Sequence, residues 1–142
     1  MSTIAQIEDA MLVALREKLP GVEVDTLPGP PEEAARRTMR MPAVWVVYVS
    51  GSYRPNRAMN NYVIQQVERN FYVVIITRNL RSRVEGARGA YDLLELCREA
   101  LAGLETPDGV LEIAREQLAN TEGGLFVYWL VITCKGEYRK KL

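Results

Sequence analysis

Three stretches of this chain, residues 43–49, 71–76 and 125–134, are apolar on both faces that a β-strand would present. A strand of this kind must be covered from both sides, whereas a half-exposed strand alternates apolar and polar residues. The chain must therefore place material over two faces of a sheet, and that requirement limits its architecture more than any other feature.

Two amphipathic helices are available as cover. Thr3-Ile4-Ala5-Gln6 fits a capping box. Ile4, Ile7, Met11, Leu15 and Leu19 follow at spacings of three and four, with Glu8, Arg16 and Lys18 off the stripe, until Pro20-Gly21 ends the helix. Ser82-Arg83-Val84-Glu85 is a second capping box, opening a helix that runs to about Ala102. Val84, Tyr91, Leu94, Leu101 and Leu104 form its main stripe, Ala87, Ala90 and Cys97 widen it, and Gly103 is its C-cap.

The remaining segments read as strands and turns. Residues 22–27 alternate as a short half-buried strand that Pro28-Gly29-Pro30-Pro31 stops, and the polar stretch 32–40 has room for one or two helical turns. After the strand at 43–49, Ser50-Gly51-Ser52 leads into a loop over 53–61. A third strand, 65–77, is polar in its first half and apolar in its second, so one end protrudes from the core towards solvent or a partner. Pro107-Asp108-Gly109 is a turn. Residues 110–119 and 125–135 are the arms of a hairpin turning at Thr121-Glu122-Gly123-Gly124, and 136–142 reads as a basic, frayed end.

With strands joined by short polar loops pairing antiparallel, the expected fold class is α+β: a mainly antiparallel sheet of four to five strands with two helices packed on one face. At 142 residues it is expected to form a single domain over 1–142. Two helices cover one face. The second face is left to a partner subunit or to a long loop folding back, and the sequence does not choose between them.

The composition removes several kinds of chemistry. There is no histidine, which excludes a Ser-His-Asp or Cys–His nucleophile and any histidine metal ligand. Cys97 and Cys134 lie far apart inside apolar stretches and read as buried thiols, so no metal site is expected. Asp92, Glu95 and Glu99 share a helix face, but Arg88 and Arg98 beside them suggest a surface ion-pair network rather than an acid–base pair. Gly86-Ala87-Arg88-Gly89 lacks the lysine and spacing of a phosphate loop. Lys and Arg total 18, matched by 18 Asp and Glu, so the basic excess of a nucleic-acid binder is missing. Basic clusters at Arg36, Arg37 and Arg40, at Arg54 and Arg57, at Arg78, Arg81 and Arg83, and at Arg139, Lys140 and Lys141 keep a nucleic-acid-binding α+β module as the alternative reading, using the arginine-rich loop. The start of the chain lacks the pattern of a secretory signal, and the longest apolar run, 125–134, is too short to span a bilayer. No catalytic, cofactor or membrane role is expected, and the expected location is the cytoplasm where the chain is made.

A set of scattered positions carries a family resemblance over nearly the whole chain. It comprises Ile4-Ala5-Gln6-Ile7-Glu8-Asp9-Ala10 with Leu12 and Leu15; Leu27-Pro28-Gly29; Pro42-Ala43-Val44-Trp45-Val46 with Gly51; 71–76 leading into Arg78-Asn79-Leu80-Arg81; and Gly89-Ala90-Tyr91-Asp92-Leu93-Leu94 with Leu101 and Gly103. In these the chain resembles the tail terminator family of Mu-like contractile-tailed phages. The resemblance implies a structural subunit of a closed, usually hexameric, homo-oligomeric ring that caps the head-proximal end of the tail. Such a ring stops tube and sheath growth and offers a surface to the head or neck completion protein. It also implies assembly in the host cytoplasm and residence in the virion tail, with tail tube and sheath proteins as partners and no cofactor. A ring built from one repeated head-to-tail contact needs two different complementary patches. Arginine and tyrosine are favoured interface anchors, so Tyr53, Arg54, Arg57, Tyr62, Gln65, Glu68 and Arg69 are the candidate interface residues.

Overall fold

The computed structural model describes residues 2–34, 41–58, 60–78 and 83–142, and their side chains apart from 83–87 and 122. Ser82 as a helix cap, Arg36, Arg37, Arg40 and Arg81 as basic clusters, helical turns across 35–40, and Val84 and Ala87 in the helix stripe all lie outside that description. Helix α1 is Thr3–Lys18 and α2 is Arg83–Leu101. The strands are β1 (Glu23–Thr26), β2 (Ala43–Tyr53), β3 (Tyr62–Arg78), β4 (Glu105–Thr106), β5 (Gly109–Glu122) and β6 (Leu125–Lys141), in the sheet order β1-β2-β3-β6-β5-β4.

The fold is α+β as expected, but the sheet has six strands and is mixed. β1 pairs with β2 in parallel; the other pairings are antiparallel. The expected four to five strands with mainly antiparallel pairing become six, and β1 is parallel to its neighbour because the connection from Leu27 to Pro42 is long enough for the chain to return to the starting end of the sheet. A short 3-10 turn, Pro31–Glu33, stands in that connection. β4, only two residues long, is too short to register as a pattern.

Helix α1 begins one residue earlier than the capping box suggests. Ser2 is the N-cap, its hydroxyl accepting from the Ala5 amide at 3.1 Å. Ile7, Met11, Leu15 and Leu19 are buried as the stripe requires. In α2, Ala90, Leu94, Cys97 and Leu101 are buried, but Tyr91 is 52% exposed and leans on Tyr128, so it flanks the stripe. The two helices, with Val44, Val46, Phe71, Val73, Ile75, Leu130 and Ile132 of the sheet, make the larger core. Full burial of such side chains contributes about 1.5–3 kcal/mol each.

The second face is covered by the chain itself at one end. Leu27 and Ala34, before β2, pack with Ala43, Trp45, Val47, Val74, Ile76, Leu125 and Val127, and Pro31 is buried. At that end the cover comes from the long segment before β2. Further along, the Tyr72 and Trp129 rings pack in a tilted arrangement with centres 5.4 Å apart, and Arg115 donates to the Tyr72 hydroxyl at 3.0 Å.

The lengths of the elements explain what remains uncovered. β3 and β6 have 17 residues each and pair from end to end without a register shift. At about 3.4 Å per residue each spans roughly 55 Å. The helices, of 16 and 19 residues, reach only about 24–28 Å. One end of the sheet must therefore stand clear of the helical layer. The protrusion expected from the polar half of β3 is present, and β6 accompanies it to Lys141. Residues 136–142, expected to fray, are strand through Lys141, since seventeen residues of β3 need that many hydrogen-bonding partners.

Candidate interface arm

The protruding end of the sheet is a three-stranded arm. Its middle strand is the first part of β3, from Tyr62 to Val67, paired with Lys141 to Gly136 of β6. The third member is the segment after Tyr53, which reads as loop in sequence but continues the pairing: the Arg54 amide donates to the Gln66 carbonyl and the Arg57 amide to the Ile64 carbonyl, both at 2.9 Å. The Asn56 side-chain oxygen accepts from the Ala58 and Ile64 amides at 3.0 and 2.8 Å, pinning the tip against β3. The Leu142 amide closes the far end on the Asn61 carbonyl at 2.6 Å.

Strand alternation divides five of the seven sequence-selected residues between two faces. Phe71 and Val73 belong to the helix-side core, so Arg69, Val67 and Gln65, at odd positions of β3, share that side, and Tyr53 joins them opposite Val67. Tyr62 and Glu68 lie on the other side with Ile64 and Gln66. Tyr53 is 53% exposed and packs edge-on against Tyr138, ring centres 6.2 Å apart. Tyr62 is 40% exposed, Arg54 and Arg57 are exposed, and the half-buried Gln65 donates to the Arg54 carbonyl at 2.9 Å. Glu68 is half-buried.

Arg69 departs from this set. It is 6% exposed, and its guanidinium is ion-paired with Asp108 of the turn between β4 and β5. It ties the arm's root to the body and offers no free surface. Its Nε is buried without a partner. No local pattern joins Arg69 to a turn 39 positions away; the pairing arises because Arg69 stands opposite Cys134, which in turn stands opposite Leu111. Gly136 makes room for the pair: a Cβ there would overlap the Asp108 carboxylate. Above the pair opens a cleft of about 640 Å³, lined among others by Tyr53, Arg54, Glu68, Asp108, Lys135 and Glu137, with both signs of charge mixed. Tyr138 and Glu137 escape a sequence reading because 136–142 reads as a frayed end, and Lys135 because it reads only as the last residue of a hairpin arm.

The titratable groups are arranged for stability and surface contact. Burial pushes the Cys97 thiol up to about 12. Burial likewise raises Cys134; a hydrogen bond shared with Thr106 opposes that rise, Asp108 adds to it, and the Arg69 charge opposes it. Both thiols are thus protonated and weakly nucleophilic at neutral pH. Asp92 and Glu95 are exposed on α2, while Glu99 pairs with Lys18 of α1 at 3.0 Å and Arg98 with Glu116 of β5 at 2.6 Å. The expected network within α2 is replaced by pairs that reach across elements. Among the described residues no group of three or more Cys, Asp or Glu is placed to hold a metal ion, and no helix is long and apolar enough to cross a membrane.

Fold and site together define an α+β protein whose central strands outgrow its helices and end in a basic, tyrosine-bearing arm. The family model described as Gp37 protein matches residues 11–137, and the chain belongs to the Gp37 protein family. Among solved structures, a chain from the virion of a native gene transfer agent particle has the same fold, with a TM-score of 0.63 at 14% identity over 96% of this chain and 98% of that one. No curated protein matches the sequence.

Proposed function

We propose that this protein is a non-catalytic structural subunit of a phage-type particle, one copy of a ring that closes the head-proximal end of a tail. The observation that carries the reading is the sheet arm: a preformed, rigid surface with exposed tyrosines and arginines, outside the cover of the protein's own helices. Its support is that a chain of a gene transfer agent virion shares the fold along almost its whole length. In this reading the ring ends tube and sheath growth and meets the head or neck completion protein, assembling in the host cytoplasm and ending in the virion.

The test is size-exclusion chromatography with light scattering, followed by negative-stain imaging with and without tail tubes. A defined homo-oligomer, or rings seated on tube ends, is the expected result. A chain that stays monomeric and never engages tubes would sink the reading. The basic character of the arm favours one second reading, binding of single-stranded nucleic acid. Salt-dependent gel shifts at low ionic strength would support it, and their absence would end it.

A further inference from the structure

The formal net charge of zero conceals a separation of charge. The arm, residues 53–67 and 136–142, holds Arg54, Arg57, Arg139, Lys140 and Lys141 against Glu137 alone. Because the chain has 18 of each sign, the rest of it carries thirteen basic side chains and seventeen acidic ones. The molecule is thus a cationic arm on an anionic body, and two copies attract when the arm of one approaches the body of the other.

The body offers a matching surface. Ile7, Met11 and Leu15 of α1 and Leu94, Cys97 and Leu101 of α2 face the sheet, which turns Asp9 and Glu17, and Asp92 and Glu95, outward. All four are exposed, and none has a cationic partner among the described residues. The cations nearby are Arg88, exposed on α2, Arg16 of α1, which reaches Asp25 at 3.9 Å, Lys18, which is taken by Glu99, and Arg98, which is taken by Glu116. On the arm, Arg54, Lys140 and Lys141 have no anionic partner among the described residues, while Arg139 reaches Glu137 at 3.2 Å. Tyr53 and Tyr138 on one face of the arm, and Tyr62 on the other, supply apolar area beside the charges.

We infer that the arm of one copy docks on the outward, acidic face of α1 and α2 of the next copy. The contact is head-to-tail, the type that generates a ring when the rotation closes. The inference rests on the ring reading above and names the two surfaces that would meet. Six residue pairs at about 3.4 Å, across three strands about 4.8 Å apart, give each arm face only about 300 Å². A stable interface buries about 800 Å² per partner. The contact therefore leans on its charges and on closure, and it should be sensitive to salt, since the screening length falls from about 30 Å at 0.01 M to about 3 Å at 1 M.

The experiment is a charge swap on nuclease-treated protein, read by light scattering at about 0.01 M and about 1 M salt. One variant is Lys140→Glu/Lys141→Glu; its reciprocal is Asp92→Lys/Glu95→Lys. Each alone should lose at least about tenfold in self-association at low salt, equivalent to about 1.4 kcal/mol. An equimolar mixture should recover assembly containing both. Should the first variant fail to fold by circular dichroism, Arg54→Glu/Arg57→Glu tests the same arm. Either variant assembling like the wild type overturns the docking mode, as does a mixture that fails to recover, and the ring reading then survives with another contact. A wild-type chain that stays monomeric at low salt and on tail tubes overturns both. Loss of assembly on nuclease treatment alone would hand the arm to nucleic acid and overturn the inference.

Discussion

Replacing Asp108 by alanine isolates the interaction that fastens the arm to the body. The Arg69 side chain is 8% exposed and that of Asp108 13%. Removing the carboxylate leaves a guanidinium in the interior with its Nε already lacking a partner. Breaking a buried pair from one side costs about 3–5 kcal/mol, far more than the net worth of the intact pair. Asp108 borders an open cleft, so water can reach the vacated position and the expected loss is near the low end, about 3 kcal/mol. With a urea slope of about 2 kcal/mol per M, the midpoint should fall by about 1.5 M. Trp45 and Trp129, packed on the second face, report unfolding by fluorescence. Arg69→Met with Asp108→Leu removes both charges and should cost less than Asp108→Ala alone. A loss below about 1 kcal/mol for Asp108→Ala, or a double variant weaker than the single, would refute the reasoning.

Three further outcomes follow from the same structure. Gly136→Ala should push the Asp108 carboxylate off Arg69 and cost about 2–4 kcal/mol, yet less than about 1 kcal/mol in an Asp108→Ala background; urea titration of the four proteins measures that coupling. Cys97 stays protonated to about 12 in the folded state, whereas an unfolded thiol titrates near 9.0, so stability is whole below pH 9.0 and is lost as pH rises towards 12. Wild type should lose about 1 kcal/mol more than Cys97→Ala between pH 8 and pH 10, and parallel urea midpoints in the two would contradict this. Arg54→Glu with Arg57→Glu should leave thermal unfolding within about 0.5 kcal/mol of wild type, because both side chains are exposed; a large fall in the melting temperature would mean they hold the arm together.

Much of the fold was legible because it rests on local periodicity. The stripe of α1, the doubly apolar strands and the Gly123-Gly124 turn, both glycines at positive φ, each declare themselves over a few residues. β5 reads only as weakly apolar because register shifts between Ile113 and Arg115 and between Leu118 and Asn120 break its alternation. The parallel pairing of β1 depends on where a long connection returns, which no local pattern records. Of the candidate residues, Tyr53, Arg54, Arg57 and Tyr62 stand exposed on the arm, whereas Arg69 turns inward because of a carboxylate that arrives from a distant turn. The tail of β6, Lys-rich and short of large aliphatics, looked like solvated coil, and only the length of β3 reveals that it is half of a ladder.

That ladder has a mechanical meaning. β3 and β6 run from the tip of the arm into the middle of the core with no hinge, bulge or break between them. A pull along the strands at Tyr62 meets many backbone hydrogen bonds loaded side by side, and the force arrives among Phe71, Val73 and Ile132 instead of at a flexible joint. The arm is therefore a cantilever continuous with its foundation: a neighbour that grips its end moves the whole subunit.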